Sequence, residues 1–439
     1  MKGRMPWIGA LLLATALSAQ TRMEDVHSFT LDNGMKFLVI EDHSIPNANY
    51  YCTYKVGSRN EYPGITGLSH FFEHMMFNGA KKYGFKQFDR VMEAAGGANN
   101  AWTSKNLTAY TDWFPTEAIE TIFDLESDRM ANLAFVDSVV ESERGVILSE
   151  RITGMENTHF SFLDEQVCGV AYIAHPYSWS VVGHESDIRN WEKEDLVRYW
   201  STYYAPNNCV AVVVGDVQFE QVKSLAEAYF GPIPGREPPR PVHTVEPEQL
   251  GEKRIEVHRD VNSPYLEIVW HVPETRHADY FALDILDDIL SSGRSSRLYR
   301  ALVEEKQVAV NFGTGMEDAF DPTVYQFMAV CAQGKTPEDL EAALYEEIER
   351  MAAEGPTAQE LQKVKNRKLA GFYRQMETIN GRASGLGRYE IIFGDYRKLY
   401  TAPQAYEAVT AQDIQRVAAT YFKKSNRTVG VLKPAEEES

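Results

Sequence analysis

Residues 195–208, DLVRYWSTYYAPNN, and residues 413–426, DIQRVAATYFKKSN, are one segment written twice. Asp195, Leu196, Arg198, Thr202, Tyr203, Tyr204 and Asn208 recur as Asp413, Ile414, Arg416, Thr420, Tyr421, Phe422 and Asn426, each 218 positions later. Both copies run into an apolar, β-branched stretch, 210–214 and 428–432. The pattern reads as an amphipathic helix, a short turn and a buried strand. Seven matches in one register are too many for chance, so the chain is a tandem duplication with diverged halves. Between the copies, 231–241 reads GPIPGREPPRP. Proline fixes φ and offers no N–H, which excludes a helix or a central strand there. Residues 231–253 are therefore a semi-rigid linker between a first domain, 21–230, and a second, 254–439.

Within each half the fold class is α+β. Strands are expected at 36–40, 50–56, 255–258 and 266–271, and helices at 67–78, 85–95, 115–130, 137–153, 280–290, 337–353 and 358–374. Strands preceding several helices in each half imply two similar domains, each a mixed sheet with helices packed mainly on one face. The 439 residues are 44% hydrophobic and 12% aromatic, enough for real cores, which excludes a disordered chain. With 44 basic against 63 acidic residues, a net charge of −19 excludes nucleic acid as the main partner. Cys52, Cys168, Cys209 and Cys331 are too dispersed for a CxxC pair or a disulfide scaffold and read as buried thiols, with one structural disulfide as the alternative. At the start, Lys2 and Arg4 precede an apolar run over 7–17 that ends in Ser18 and Ala19. That is the layout of a signal peptide, 1–20, too short for an anchor, and it predicts export across an inner membrane to a bacterial periplasm with no membrane anchor.

The chemistry concentrates in GLSHFFEHMMFNG, 67–79. His70 and His74 are four apart, so on a helix both imidazoles share a face and can point at one ion. Glu73 lies on the neighbouring edge of that face. A catalytic zinc needs three protein ligands, an open position and a base for its water, and this helix supplies two ligands and the base. By composition about 0.04 such H-x-x-E-H matches are expected per chain, so the spacing alone is suggestive. Leu68, Phe71, Phe72, Met75, Met76 and Phe77 leave no broad polar face, and burying two imidazoles and a carboxylate there is costly unless they are paired or metal-bound. The third ligand should be an acid on another packed helix. The stretch 139–156, VVESERGVILSERITGME, offers Glu143 and Glu150, two turns apart on one face.

These residues carry a specific resemblance. His70-x-x-Glu73-His74 followed by Glu150 resembles the inverted motif of the pitrilysin-type (inverzincin) zinc metallopeptidases, including bacterial processing-peptidase-like members and the mitochondrial processing peptidase beta subunit. Gly57-Ser58-Arg59, Asn100-Ala101 with Thr103, Glu143-Arg144 and, in the second half, Ser295-Ser296-Arg297-Leu298 extend the match over most of the chain. The resemblance implies one Zn2+ per chain on His70, His74 and Glu150, Glu73 as general base, and Glu143 as a carboxylate that holds and tunes the site. It also implies that Asn99, Asn100, Ala101, Trp102 and Thr103 form a strand edge to which a peptide substrate adds by backbone pairing.

The sequence departs from the family at one point. The second half of active members supplies an Arg and, seven residues later, a Tyr, and the matching positions here are Val303 and Val310. Arg297 and Tyr299 stand in a different register. Valine cannot donate a hydrogen bond, so the resemblance points to a sister subunit that supplies the pair in a hetero-dimer, with a homodimer as the alternative. The functional expectation is a zinc endopeptidase acting on peptides or unfolded segments. A non-catalytic assembly or chaperone-like subunit of the same fold, or a zinc hydrolase of non-peptide substrates, is the competing reading.

Overall fold

The computed structural model describes residues 25–435; the expected signal peptide at 1–20 lies outside the described residues. The first sheet holds β1 (Val26–Thr30), β2 (Lys36–Glu41), β3 (Asn47–Tyr54), β4 (Ala98–Thr103), β5 (Thr108–Pro115) and β6 (Cys209–Gly215) in the order β1-β2-β6-β3-β5-β4. The second holds β7 (Lys253–Arg259), β8 (Tyr265–Val272), β9 (Ala309–Met316), β10 (Thr323–Cys331) and β11 (Arg427–Pro434) in the order β7-β11-β8-β10-β9. Without β1 the two orders are the same. In both, the first neighbours, β2 with β6 and β7 with β11, run parallel and every other pair is antiparallel. The valine run of β6 is buried on both faces at the centre of its sheet, as a continuous β-branched run should be.

Eight helices frame the site and the two cores: α1 (Leu68–Met75), α2 (Asp137–Arg151), α3 (His159–Ala171), α4 (Lys193–Tyr203), α5 (Tyr280–Ser291), α6 (Ala358–Met376), α7 (Ile379–Ile392) and α8 (Ala411–Tyr421). The repeated segment is α4 before β6 and α8 before β11. Its recurring asparagine has a task. The Asn208 amide donates to Tyr203 O and that of Asn426 to Tyr421 O, both at 2.8 Å, closing the end of each helix before the strand begins.

Each half's own helices cover one face of its sheet. The opposite face is covered by a helix from the other half. Ala383, Leu386 and Tyr389 of α7 pack on Leu38, Val212 and Val214 of the first sheet, and Leu163 and Val167 of α3 pack on Val269 and Leu432 of the second. The approach of α3 is so close that a Cβ on Gly430 would overlap Val167 Cγ2. Residues 231–252 carry no helix or strand. They are pinned nonetheless: Asn33 donates to Phe230 O and Ile233 O, and the Glu246 carboxylate accepts from the N–H groups of Ile173, Ala174 and His175.

The expected helix over 115–130 starts at Ile119, because β5 runs through Pro115 and a 3-10 turn, Thr116–Ala118, intervenes. The helix expected over 85–95 is Gln87–Ala94, entered from Lys86 at φ 59°. All four cysteines are free and buried. No helix among the described residues is long and apolar enough to cross a membrane.

Candidate metal centre

Leu68, Phe71, Phe72 and Met75 of α1 are buried in the first core, which leaves His70, Glu73 and His74 facing outward together. The helix is fixed at its start by a residue outside the motif. Glu61, 4% exposed, accepts hydrogen bonds from the N–H groups of Gly67 at 2.7 Å and Ser69 at 2.8 Å, satisfying first-turn donors that the helix itself cannot. Burial is the largest influence on this carboxyl and pushes it up to about 8, against the two N–H bonds. Gly67, at φ +89°, abuts Gly183, at φ +83°, where a Cβ would overlap Gly67 N. Nothing larger fits between the two turns. Farther along, Tyr110 OH donates to Phe72 O at 3.0 Å and Asn78 Nδ2 to His74 O at 3.0 Å.

Glu150 lies in the last turn of α2, just before a π-helical turn, Ile152–Glu156. Its neighbour Arg151 donates to Gly183 O and to the Glu165 carboxylate, so the loop that meets the start of α1 also holds the end of α2. Arg144 likewise ties α2 to Ile188 O and Trp191 O. The two ligand-bearing helices are thus set relative to each other by charged side chains bonded to backbone.

The result is convergence. Glu150 Oε2 is 3.6 Å from His70 Nε2 and 3.5 Å from His74 Nε2, and ligand atoms of all three residues lie within 4.8 Å of one another. Two ligands about 2.0–2.1 Å from a tetrahedral zinc are about 3.3 Å apart, so the two Glu150–histidine separations are within a few tenths of an ångström of that spacing. Two imidazoles and one carboxylate are also the right donor chemistry for it. Glu143 Oε2 stands 3.4 Å from His74 Nδ1, behind the ring, where it favours a proton on Nδ1 and leaves Nε2 free as a donor to metal. Burial, helped by His74, pushes His70 down to about 4, which keeps it neutral and competent to ligate. For His74 burial acts in the same direction, but the Glu143 contact and the Glu150 and Glu73 charges outweigh it and the net shift is upward.

Glu73 reaches past this cluster to β4. Thr103 Oγ1 donates to Glu73 Oε2 at 2.6 Å. Burial raises the Glu73 pKa, and the Thr103 bond works against that. Among the described residues β4 is the outermost strand of its sheet, paired only with β5. By strand alternation Asn99 and Ala101 share the Thr103 side, towards α1, while Asn100 and Trp102 point the other way. Asn99 donates to Asp89 at 3.0 Å and Trp102 Nε1 to Tyr51 OH at 3.0 Å. A cavity of about 560 Å³ opens beside Glu73 and His74, lined among others by Phe77, Arg90, Asn99 and Ala101.

Of the residues that the sequence singled out for the site, His70, Glu73, His74, Glu143, Glu150, Asn99, Ala101 and Thr103 gather about the outward side of α1, whereas Asn100 and Trp102 face the other side of the sheet. Three features had no sequence signal. Glu61 is a lone acid in a loop, Arg151 is one more charge after a run of charges, and Thr103 was expected on the strand but not as the partner of Glu73.

A duplicated α+β chain with one inverted His-Glu-His motif, completed by a distant glutamate, defines the inverzincin class of fold and site. Sequence comparison agrees: residues 36–184 match the insulinase family (peptidase family M16) and residues 190–368 the peptidase M16 inactive domain. The chain belongs to the M16 peptidase family. It is 29% identical over 439 residues to the zinc protease PqqE of Helicobacter pylori, covering 98% of each chain. The crystal structure of a protease from Helicobacter pylori superposes with a TM-score of 0.89 at 30% identity, covering 93% of this chain and 99% of that one. The periplasmic protease PqqL of Escherichia coli has the same fold at a TM-score of 0.76 and 18% identity; 94% of this chain is covered but only 48% of that one.

Proposed function

We propose that this protein is a zinc-dependent endopeptidase that cleaves peptides or unfolded segments laid along β4. The observation that carries the reading is the convergence of His70, His74 and Glu150, with the Glu150 carboxylate 3.5 to 3.6 Å from both imidazoles, beside a glutamate bonded to a strand at the edge of its sheet. Zinc on those three residues supplies Lewis-acid polarisation of a peptide carbonyl and a more acidic water. The protein's own groups do the rest. A substrate backbone pairs with the free edge of β4, which gives affinity without demanding a sequence. Glu73, held by Thr103, takes the proton of the attacking water and returns it to the leaving amine. Glu143 keeps His74 in the tautomer that ligates.

The boundaries we adopt are a metal-bearing domain, 21–230, and a metal-free one, 254–439, joined by 231–253. Export to a periplasm is the reading of the 1–20 leader, and the periplasmic PqqL neighbour is consistent with it. The site is completed by a sister subunit. Val303 and Val310 offer no donor where an Arg and a Tyr are needed, and Val310 stands 61% exposed on β9. PqqL, twice the length of this fold, is consistent with two such units working together. The same valines favour the second reading, a non-catalytic assembly or chaperone-like subunit.

Digestion of an unfolded protein by the purified chain, with and without a co-expressed partner, separates the two. Glu73→Gln should keep stoichiometric zinc and lose nearly all cleavage. Cleavage that survives in the Gln protein overturns the catalytic reading.

A further inference from the structure

The 218 shift of the repeated segment sets Asp288, Ser291 and Ser292 opposite His70, Glu73 and His74. The structure gives the helix a different register. Asp287 of α5 accepts from Thr314 Oγ1 on β9 at 2.5 Å, as Glu73 of α1 accepts from Thr103 on β4. Asp284, Asp287 and Asp288 therefore repeat the spacing of His70, Glu73 and His74, 214 positions later. The third member follows from α6, which packs on α5 as α2 packs on α1. Lys368, 218 positions after Glu150, places Nζ 2.8 Å from Asp284 Oδ2 and 3.4 Å from Asp288 Oδ2. One group on the facing helix thus meets both members of the pair, as Glu150 meets both histidines.

The charges are inverted between the halves. In the first, two imidazoles and an acid surround a position fit for a cation. In the second, two acids surround an ammonium. Lys368 is 19% exposed, and Asp284 and Asp288 are 22% and 14% exposed, so the cation is largely withdrawn from water. Tyr406 OH donates to Asp284 Oδ2 at 2.7 Å and Tyr325 OH to Asp287 Oδ1 at 2.8 Å, so hydroxyls as well as the ammonium face these acids.

We infer that Lys368 is a built-in cation standing where the first half holds its metal, so that the second half keeps the metal-site architecture but binds no ion. The site is latent. With the ammonium removed, Asp284 and Asp288, backed by Asp287, present a set of hard oxygen donors suited to Mn2+ or Ca2+. This role of Lys368 rests on the geometry of the two halves and stands whether or not the first is a peptidase.

Thermal unfolding of the full chain tests it, in a His70→Ala/His74→Ala background that silences the first site. Lys368→Met keeps the aliphatic stem and deletes the charge, and should lower Tm by about 3–6 °C, because breaking a buried ion pair strands its acids. Adding Asp284→Asn and Asp288→Asn should recover most of that loss. Millimolar Mn2+ should raise the Tm of the Lys368→Met protein and leave the Lys368 protein where it was. An unchanged Tm in Lys368→Met, no recovery in the combined variant, or an equal response to Mn2+ with and without Lys368 would each overturn the inference.

Discussion

Thr103→Val isolates the link between the strand edge and the base. The substitution deletes one hydroxyl and keeps a β-branched side chain of the same shape, so the pairing of Thr103 with Thr108 should persist. What is lost is the 2.6 Å bond to Glu73 Oε2. Hydrogen bonds to an ionised group contribute about 1.5–3 kcal/mol, which corresponds to roughly 10- to 150-fold in rate if the bond orients the working carboxylate. The same bond opposes the rise that burial imposes on Glu73, so its loss moves the pKa further up. A base must be ionised to work. The acid limb of kcat/KM should therefore shift to higher pH, by about one unit for each 1.4 kcal/mol lost. Zinc content should stay at one per chain, and Thr103→Ser should restore both rate and profile. A stopped assay on a quenched fluorescent peptide over pH 5 to 9, with metal analysis of each protein, reads all of this. Wild-type kcat and an unmoved acid limb in Thr103→Val would show that the bond has no part in the chemistry.

Glu61→Gln should change how stability depends on pH. A carboxyl raised from 4.5 to about 8 in the fold binds its proton more tightly there than in the unfolded chain, so its contribution is full below about pH 4.5 and is lost as pH climbs through 8. The gap in urea midpoint between wild type and the Gln protein should accordingly shift against wild type from pH 5 to pH 8, and a constant gap would contradict the assignment. Leu386→Ala empties a fully buried position between α7 and the first sheet and should cost about 2–5 kcal/mol. Because α7 and α3 are exchanged between the halves, that loss should move a single unfolding transition seen by calorimetry, and two separated transitions would show the halves to be independent.

The duplication was legible because its repeated segment performs the same local task in both copies, with Asn208 and Asn426 closing equivalent helices. The long amphipathic helices and the buried valine strand were legible by period. The exchanged helices were not. Residues 379–392, INGRASGLGRYEII, contain three glycines and no clean apolar stripe, and so lack both propensity and period. They are helical because the sheet they cover comes from the other half of the chain, a partner that no local window contains. Edge strands β4 and β9 were equally silent to pattern reading, since an edge is only half buried and glycine and asparagine are common there. At the site, the histidine pair declared itself by spacing, whereas Glu61 and Lys368 act through distant backbone and facing helices. The register of Asp284, Asp287 and Asp288 was hidden from the repeat at 195–208, because the second half is four residues shorter between its β8 strand and Asp284 and four residues longer between Asp288 and Lys368.

All of the chemistry proposed for this chain requires that His70, His74 and Glu150 hold one metal ion. Anomalous diffraction at the zinc edge from crystals of the zinc-loaded protein decides whether they do. A single strong peak is expected in the first half, about 2.0–2.2 Å from one nitrogen of each histidine and from a Glu150 oxygen, absent in Glu150→Gln/His74→Ala crystals. A peak elsewhere, or Glu150 turned away from a metal bound by the histidines alone, would contradict the three-residue site.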